Sequence, residues 1–338
     1  MKTSMKAMLL KTPQPVEAHP LVLSSCPAPS PGSGEILVRV RTCGVCHTDL
    51  HTVEGEIPLT KMPIIPGHQV VGSIEKLGQG AQRFERGNRV GIPWLYRSCG
   101  ECTDCLAGYE NLCGEAQFTG YHVDGGYAEY IVVPEPFAYT IPVEYDDYQA
   151  APLLCAGIIG YRAIRISGLK PEERLGLFGF GASAHIVIQI AKHWGCHVYV
   201  FSRSGAHRKL AEQLGATWTG TAEQNPPFLL DRAILFAPAG RLVLDALRNL
   251  RKGGTLAIAA IYLDKIPEME YTAHLYGEKT IRSVTASTRK DAEELLNLAP
   301  QIPIRTQVEV FPLQEANQAL QLLKEGKING AGVLDVYL

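Results

Sequence analysis

Four cysteines lie close together in the stretch SCGECTDCLAGYENLC, with the spacing C-x2-C-x2-C-x7-C. They are Cys99, Cys102, Cys105 and Cys113. Four thiolates this close in sequence can converge on one tetrahedral zinc ion, and a shell of four cysteines leaves no position for a substrate. An iron–sulfur cluster also takes four cysteines and is the alternative, and unrelated surface thiols are a third interpretation. The spacing favours a metal-stabilised lobe at about residues 96–116.

A second set of residues with metal-ligand chemistry is dispersed along the chain. The stretches CGVCHTDLH, PGHQ and PLLCAG supply Cys43, Cys46, His47, Asp49, His51, His68 and Cys155. A fold can assemble distant residues into a catalytic metal site that keeps one position open. Spacing alone does not choose the ligands among them, and an isolated histidine or cysteine is also common in a core.

The segment GFGASA (179–184) fits the pattern G-x-G-x-x-A, with Gly179, Gly181 and Ala184 at the defining positions. It follows the apolar run RLGLF and precedes a predicted helix. Glycines at these positions permit a tight turn and a close approach of the backbone to a pyrophosphate at the helix N-terminus. A plain strand–helix turn is the alternative, but the repeated strand–helix pattern favours a dinucleotide loop.

The next predicted strand, HVYVF, ends in Ser202, Arg203 and Ser204. An NAD site usually offers a carboxylate to the ribose hydroxyls at this point. Because a cationic guanidinium and two hydroxyl donors stand there instead, the segment suits a 2′-phosphate and favours NADP(H) over NAD(H).

The elements that must position these residues change character near residue 150. Residues 1 to about 150 read as short strands such as EILVRVRT, with an apolar–polar alternation. From about 152 strands alternate with helices, which predicts an α/β domain with a doubly wound parallel sheet. The chain then finishes with a helix, RKDAEELLNLA, and a strand–helix–strand segment in which LQEANQALQLLKEG is the helix.

Composition narrows the class of protein. The 338 residues suggest two domains, and 32 basic against 34 acidic side chains argue against a nucleic-acid-binding protein. The N-terminus lacks the apolar core of a signal peptide, and no apolar run is long enough for a membrane helix. Nine cysteines, an odd number, therefore indicate metal ligands and buried thiols in a reducing, cytoplasmic setting rather than disulfides.

Taken together, GVCHTDLH, PGHQVVG, the four-cysteine lobe, APLLCAG and GFGASA resemble the zinc-dependent medium-chain alcohol dehydrogenases, in the same order and over nearly the whole chain. The resemblance implies a GroES-like β-barrel catalytic domain formed by residues 1–151 and 291–338. It also implies a Rossmann dinucleotide-binding domain at 152–290, and a homo-oligomer, either a dimer or a tetramer.

The resemblance also implies a ligand set. Cys46, His68 and Cys155 would bind the catalytic zinc, and Asp49 would orient His68 through its other ring nitrogen. Two cysteines and one histidine are the catalytic zinc ligands of the alcohol dehydrogenases, so this set comes from the family and not from the spacing. Cys43 falls outside this pattern and is expected to be a packed thiol.

Three further roles follow from the resemblance. Thr48 matches the hydroxyl that takes the alcohol proton, His51 the imidazole that passes it toward solvent, and His47 a contact to the cofactor pyrophosphate. Their chemistry is coherent with a zinc ion that polarises the substrate oxygen while hydride moves between the carbinol carbon and the nicotinamide.

Three positions depart from the common family pattern, and three others bear on the size of the substrate. Gln69 stands in place of a glutamate, Ile159 in place of a threonine near the nicotinamide, and Ala331 in place of a pyrophosphate-binding arginine. Three bulky residues resemble pocket-lining positions and suggest a small or slender primary alcohol or aldehyde, although they also fit core positions: Ile57, Trp94 and Tyr121.

The sequence thus predicts an oxidoreductase, a zinc-dependent alcohol dehydrogenase or aldehyde reductase with two zinc ions per chain and NADP(H) or NAD(H). A polyol or sugar dehydrogenase of the same superfamily is the alternative within enzymes, and a zinc-free quinone or enone reductase leaves the second ligand set unexplained. A catalytically idle zinc- and nucleotide-binding protein is the alternative from another class. No nucleic-acid or membrane partner is expected.

Overall fold

A computed structural model describes residues 3–338 of the chain. It divides into two compact units. The first unit runs up to Cys155 and also includes Ala286–Pro300 and Thr306–Leu338, whereas the second comprises Ala156–Thr285 and Gln301–Arg305. The predicted division into a catalytic and a dinucleotide-binding domain stays a prediction about their roles.

The first unit is built mainly from strands. In chain order its strands up to residue 155 are β1 Ser4–Leu10, β2 Leu21–Pro27, β3 Glu35–Val45, β4 Val70–Leu77, β5 Arg89–Ile92, β6 Leu95–Arg97, β7 Gln117–Phe118, β8 Tyr130–Pro134 and β9 Tyr139–Thr140. Its helices in this part are α1 His47–Glu54, α2 Thr103–Leu106 and α3 Asp147–Ala150.

Strand β3 organises the larger sheet of this unit. It pairs antiparallel with β4 and β8, and the end of β3 also pairs with a strand from the C-terminal part of the chain, Ala331–Asp335. Ile36, Val38 and Val40 have no exposed surface, as the apolar alternation predicts. Near its end β3 is held by β4 and by the strand Ala331–Asp335, which together fix the chain just before Cys46.

The second unit alternates helices and strands. Its helices are α4 Ala156–Ser167, α5 Ala182–His193, α6 Gly205–Gln213, α7 Arg241–Asn249 and α8 Tyr271–His274. Its strands are β10 Arg174–Phe178, β11 His197–Phe201, β12 Trp218–Gly220, β13 Leu230–Leu235, β14 Leu250–Ile258 and β15 Thr280–Ser283.

These six strands form one sheet in the order β12-β11-β10-β13-β14-β15, and every neighbouring pair is parallel. The predicted doubly wound parallel sheet is therefore confirmed. The chain reverses its direction across the sheet between β10 and β13, and ligands of such sheets bind at the carboxyl ends of the strands at this switch point. The GFGASA loop follows β10 directly.

One predicted boundary was wrong. The sequence pattern placed LRKGG at the end of the helix that begins at Arg241, but α7 ends at Asn249 and β14 already begins at Leu250. The pairing of β13 with β14 contains a register irregularity between Leu230 and Arg232, which accommodates the extra residues. A bulge of this kind has no clear periodicity in sequence.

The chain returns to the first unit at its end. The remaining elements are α9 Arg289–Leu298, β16 Val308–Pro312, α10 Ala316–Lys324 and β17 Ala331–Asp335, and the predicted strand–helix–strand finish is confirmed. Within residues 3–338, no single helix has the length and apolar character to cross a membrane. Only the bent pair Asp147–Leu154 and Ala156–Ser167 meets those two criteria together.

Candidate active site

Cys46 and Asp49 stand where β3 ends and α1 begins. Cys46 is the residue before the helix and has an extended backbone, and Asp49 occupies the third helical position. The Asp49 carboxylate accepts a hydrogen bond of 3.0 Å from the Cys46 backbone N–H, which would otherwise lack an intrahelical partner. The sequence CHTD therefore fixes the start of the helix and the position of the cysteine together.

The Asp49 carboxylate is also the centre of a buried hydrogen-bond network. Besides the Cys46 amide, it accepts hydrogen bonds from His68 Nδ1 at 2.9 Å, the Gly67 N–H at 3.1 Å and the Tyr127 hydroxyl at 3.1 Å. These donors satisfy a carboxylate that is only 1% exposed. The imidazole of His68 is thereby held with its Nε2 atom pointing away from Asp49.

His68 Nε2 is buried and has no hydrogen-bond partner within the described residues. Its ring lies near two thiols, and the ligand atoms of Cys46, His68 and Cys155 all lie within 4.8 Å of one another. Zinc bonds of about 2.0–2.3 Å fit inside such a triangle. A buried nitrogen without a partner beside two free thiols is the donor set that a zinc ion satisfies, so these residues fit the metal.

The pKa values of Cys46, Cys155 and His68 are shifted by burial, by their contacts with one another and by Asp49. The Cys155 thiol donates a hydrogen bond that holds the pKa of Cys46 well below its usual range, and the same bond raises the pKa of Cys155. Burial lowers the pKa of His68, but the Asp49 carboxylate outweighs burial and raises it to about 10.

Thr48 and His51 lie on α1, about one helical turn apart. The Thr48 hydroxyl is 3.8 Å from Cys46 Sγ, and Thr48 is 8% exposed. His51 is 6% exposed, and its ring centroid lies 6.4 Å from that of the exposed His47. Residues three apart on a helix share a face, so the hydroxyl and the imidazole are presented on the same side of α1.

The four cysteines of the lobe also converge. Cys99 Sγ lies 3.5 Å from Cys113 Sγ and 3.9 Å from Cys105 Sγ, and the four sulfur atoms all lie within 4.8 Å of one another. These separations match sulfur atoms at about 2.3 Å from one tetrahedral ion and are far longer than a disulfide bond. They are too short for sulfurs spread around the several iron atoms of a cluster, so a single ion fits better than the iron–sulfur alternative.

Backbone amides in this lobe stabilise the thiolate form of Cys99, which is the form that binds metal. The N–H groups of Glu101 and Cys102 point at Cys99 and lower its pKa to about 7. Gly100 has a φ of 79°, a conformation that L side chains rarely adopt and that lets the chain fold back between the first two cysteines. The lobe is tied to α9 because the Glu110 carboxylate accepts hydrogen bonds of 2.7 Å from the Arg289 backbone and side chain.

The GFGASA loop has the geometry of a tight turn between β10 and α5. Gly179 has a φ of 90°, and a Cβ atom there would lie 2.9 Å from the Ala237 backbone nitrogen. Gly181 is the residue before α5, and no heavy atom lies within 4 Å of where its Cβ would be. Ala184 is fully buried in α5. No side chain of residue 181 therefore stands over the start of α5, and a helix N-terminus is where backbone N–H groups bind an anion.

Ser202, Arg203 and Ser204 follow β11 directly. The Arg208 guanidinium donates hydrogen bonds to the backbone carbonyls of Ser202 and Arg203, at 2.7 and 3.1 Å, and so shapes the loop. The Ser204 hydroxyl caps α6 by accepting from the His207 N–H. The Arg203 side chain itself is exposed, so its guanidinium is open to an anionic ligand.

Comparisons with known proteins agree with this geometry. Residues 32–143 match the family model described as "Alcohol dehydrogenase GroES-like domain", and residues 184–301 match the model "Zinc-binding dehydrogenase". The chain is 48% identical to a probable alcohol dehydrogenase of Mycobacterium tuberculosis over 98% of its own length and 97% of that protein's length. The chain belongs to the medium-chain alcohol dehydrogenase family.

More distant members of the family agree. An alcohol dehydrogenase of Geobacillus stearothermophilus is 37% identical, with 94% of this chain and 96% of that protein covered. A cinnamyl alcohol dehydrogenase of Sorghum bicolor superposes with a TM-score of 0.89 at 27% identity, covering 98% of each chain. The predicted GroES-like and Rossmann architecture is thus confirmed, and the chain is an oxidoreductase of the alcohol dehydrogenase type.

The three positions that depart from the family pattern have ordinary packing roles. The Gln69 side chain lies against Gly44, where a Cβ atom would be 2.9 Å from the amide nitrogen. Ile159 is half-buried in α4. Ala331 is buried at the start of β17 and its N–H donates to the Gln307 carbonyl, at 2.9 Å.

Cys43, the cysteine that the resemblance left outside the ligand set, lies in β3. It has no exposed surface, and burial raises the pKa of its thiol well above the usual range. It is not among the residues whose ligand atoms converge with His68 Nε2. A buried, protonated thiol of this kind packs as a small apolar side chain.

Two of the three predicted pocket residues belong to an aromatic group beside the triad. Trp94 lies edge-on to His68 with ring centroids 4.7 Å apart, and it is stacked on Phe118 at 5.0 Å. Tyr121 lies 5.9 Å from Trp94, and its hydroxyl donates to the carbonyl of the residue after the half-buried Ile57. These rings form a flat apolar wall next to the His68 imidazole.

Sequence reasoning missed Tyr127, Phe118 and Glu56. Tyr127 donates to Asp49, Phe118 stacks on Trp94, and the Glu56 carboxylate contacts His51 Nδ1. Only Glu56 carries a local signal, because it lies five residues after His51, just past the end of the helix. The other two are separated from their partners by long stretches of chain.

Proposed function

We propose that this protein is a zinc-dependent alcohol dehydrogenase that also acts as an aldehyde reductase, with NADP(H) as the favoured cofactor and NAD(H) as the alternative. The observation that carries the proposal is the convergence of Cys46, His68 and Cys155 around a buried imidazole nitrogen that has no partner among residues 3–338. When bound there, zinc supplies a Lewis acid that polarises the oxygen of an alcohol or carbonyl. The nicotinamide supplies the hydride acceptor or donor.

The chain's own residues orient the site. Asp49 holds the His68 ring through Nδ1, so that Nε2 faces the two thiols, and its hydrogen bonds to Gly67 and Tyr127 keep the carboxylate itself in place. An oriented imidazole binds metal more tightly than a freely rotating one. Asp49 is therefore a positioning residue of the metal site.

Thr48 and His51 handle the proton in this proposal. As an alcohol is oxidised, its hydroxyl proton goes to the Thr48 oxygen, and the equivalent of one proton is carried by His51 toward solvent. Thr48 is well placed because its hydroxyl lies 3.8 Å from Sγ of Cys46, one of the proposed zinc ligands. His47, which is the exposed first residue of α1, is proposed to contact the cofactor pyrophosphate.

The four-cysteine lobe is proposed to hold a second, structural zinc. All four of its ligand positions are cysteines, so no position is left for a substrate. For the cofactor, an exposed guanidinium at Arg203, with the hydroxyls of Ser202 and Ser204, supports a 2′-phosphate-binding loop after β11. A cytoplasmic homo-oligomer, as the resemblance implies, belongs to the same proposal.

A steady-state screen with purified, zinc-loaded protein tests this function. Short and aromatic primary alcohols, the matching aldehydes, and a set of polyols would each be assayed with NADP(H) and NAD(H). We expect alcohol and aldehyde turnover, with a higher kcat/KM for NADPH than for NADH. Cys155→Ser is the matched control and should abolish turnover while the protein stays folded. Turnover of polyols alone would move the assignment to the polyol dehydrogenases, and no turnover of any substrate would contradict the proposal.

A further inference from the structure

Residues 57–63, here called the strap, connect the end of α1 to the chain before β4 and form neither helix nor strand. Backbone hydrogen bonds fix both ends of the strap. Before it, the Glu56 N–H donates to the His51 carbonyl at 3.0 Å. After it, Ile64 and Leu10 exchange two hydrogen bonds, at 2.9 and 3.0 Å. The strap therefore spans two anchored points, and its freedom to move is confined to its middle.

Two polar contacts, here called the latch, hold the middle of the strap. The Tyr121 hydroxyl donates to the Pro58 carbonyl at 2.5 Å, and Lys61 Nζ lies 2.5 Å from Asp124 Oδ2. Leu59 adds an apolar contact with the core of the first unit. Among the described residues, no backbone N–H of the strap donates a hydrogen bond. The position of the strap thus depends on few contacts.

The other side of the latch is a turn that packs against the candidate metal site. Gly120 has a φ of 73°, and a Cβ atom there would lie 2.7 Å from the backbone nitrogen of Gly67, the residue before His68. Tyr121 follows directly. Its ring lies 5.9 Å from the Trp94 ring, which in turn lies 4.7 Å from the His68 ring. Because this turn is closely packed and the strap is not, the strap is the partner that can move.

The contacts between these rings lead from the buried imidazole to the surface. His68 has no exposed surface, Trp94 and Tyr121 are half-buried, and Pro58 is exposed. The strap therefore lies where the aromatic wall meets solvent, and Ile57, one of the predicted pocket residues, belongs to it. A molecule that approaches the His68 nitrogen along this wall passes the strap.

The latch is weak enough to open. Both partners of its ion pair are exposed, Lys61 by 37% and Asp124 by 47%, and an exposed pair of this kind contributes little to stability. A neutral hydrogen bond also contributes little net free energy, because water replaces it when it breaks. Segments with few buried contacts open far more often than the whole protein unfolds. Opening of the strap thus requires the loss of the latch and of the Leu59 contact, and the fold is retained.

We propose that the strap is a gate of the candidate active site, and that the latch keeps it closed against wide substrates. This inference rests on the proposed function for the identity of those substrates. With the latch closed, small alcohols and aldehydes pass along the aromatic wall, whereas wider ones require the strap to move away from Tyr121. The Tyr121 hydroxyl is therefore a positioning group for the strap. The limit on substrate width is set by an equilibrium between a closed and an open strap.

Two variants of the zinc-loaded protein weaken the latch and leave the aromatic wall in place. Tyr121→Phe keeps the ring and removes the hydroxyl that reaches Pro58. Asp124→Asn removes the charge opposite Lys61 and keeps an oxygen that can accept from the Ile65 N–H, which now donates to Asp124 Oδ1 at 3.1 Å. Each variant removes one of the two contacts, so the two are independent tests of the same gate.

Movement of the strap can be measured without turnover. Met62 lies within the strap, so carbon-13 labelling of methionine methyl groups places a probe there, and Met62→Leu identifies its NMR signal. In each latch variant, relaxation of this methyl group should report an open population that is roughly 3- to 10-fold larger, as the loss of one weak contact implies. Glu75→Gln is the matched control, because it breaks another exposed ion pair of the same unit, with Arg86 at 3.1 Å. It should leave the Met62 signal unchanged.

Kinetics test whether the gate acts on the substrate. The kcat/KM for a wide alcohol such as naphthalenemethanol, divided by the kcat/KM for ethanol, should rise roughly 3- to 10-fold in each latch variant and stay at the wild-type value in Glu75→Gln. If no alcohol is turned over, the association rate of phenanthroline, measured by its absorbance, replaces this ratio. This wide chelator binds zinc and needs the same access, but it needs no hydride transfer.

A looser strap together with faster access of the wide probe supports the inference. An unchanged Met62 signal in both latch variants overturns it, even in an active enzyme. A looser strap with unchanged access also overturns it, because the strap would then move without controlling the site, and so does an equal response in Glu75→Gln. Failure of the proposed function differs from all of these: the wild type turns over no alcohol, while the Met62 signal and the phenanthroline rate still respond to the latch.

Discussion

The Asp49 carboxylate and the His68 imidazole are joined by a 2.9 Å hydrogen bond in a region where His68 has no exposed surface. The bond fixes which nitrogen of His68 faces Cys46 and Cys155. It also links the first turn of α1, which contains Asp49, to the loop before β4, which contains His68. The carboxylate that caps the start of α1 thus also sets the geometry of the candidate metal site, because it holds both the Cys46 backbone and the His68 ring.

Replacing Asp49 by Asn should therefore weaken zinc binding at this site. Loss of an outer carboxylate partner typically costs about 10–100-fold in metal affinity. Competition with a chromophoric chelator would measure the change. Tyr127→Phe is the matched control, since it removes one neutral donor to the same carboxylate and should have a much smaller effect. Equal zinc affinity in Asp49→Asn and the wild type would contradict the positioning role.

The same hydrogen bond has a consequence for the stability of the metal-free protein. The pKa of His68 is raised from an ordinary value of 6.5 to about 10, so its interaction with Asp49 contributes stability fully below about pH 6.5 and loses it as the pH rises through about 10. Thermal unfolding of the chelated protein should therefore show a falling midpoint across this range. His68→Gln should flatten that dependence, and a midpoint that rises with pH would be the wrong sign.

The two metal sites should be separable. Cys46→Ala combined with Cys155→Ala should reduce the zinc content from about two ions per chain to about one, with the fold retained. Cys105→Ser should also remove one zinc, but it should lower the melting temperature as well, because the lobe and its Glu110–Arg289 link to α9 lose their support. Elemental analysis and thermal unfolding measure both effects. Loss of both ions from the folded double variant would contradict independent sites.

How much of this site the sequence predicted depends on how local each interaction is. The four-cysteine lobe spans 99–113 and its spacing alone favoured one metal ion, and the turn after β10 was predictable because strand, glycines and helix are consecutive. That Cys46 and Cys155 lie close together could be predicted only from the resemblance to the family. No periodicity relates residues so far apart in the chain, and the fold alone determines their distance.

The contacts that sequence reasoning missed share this physical origin. Tyr127 reaches Asp49 across 78 positions, and Phe118 reaches Trp94 through the pairing of β6 with β7. Neither contact leaves a pattern in sequence. The end of α7 was misplaced because LRK continues the amphipathic pattern of the helix and the two glycines after it are typical of a helix end, whereas pairing of β14 with β13 outweighs that local preference.

Arg203→Ala should weaken the binding of NADPH far more than the binding of NADH. A charge-assisted hydrogen bond to a phosphate contributes about 1.5–3 kcal/mol, so the KM or Kd for NADPH should rise roughly 10- to 100-fold. Lys209→Ala is the matched control, because it removes a positive charge from the neighbouring helix α6 without altering the loop after β11. Equal effects of Arg203→Ala on both cofactors would remove the 2′-phosphate assignment.

The aromatic wall should limit the size of the substrate. Trp94 stands edge-on to His68 and is supported by Phe118, so it cannot move aside without breaking a stacked pair. Trp94→Ala should raise kcat/KM for branched or bulky alcohols relative to ethanol by roughly 10-fold, since a ring of this size fills the space of several methylene groups. Steady-state kinetics over a series of alcohols of increasing width measure this change.

Phe118→Leu is the companion variant for the wall and should give a smaller shift in the same direction as Trp94→Ala. The reason is that it loosens the Trp94 ring by removing its stacked partner but leaves the ring itself in place. If Trp94→Ala instead changes kcat/KM by the same factor for every alcohol, the ring acts on the metal site through His68 and does not border the substrate.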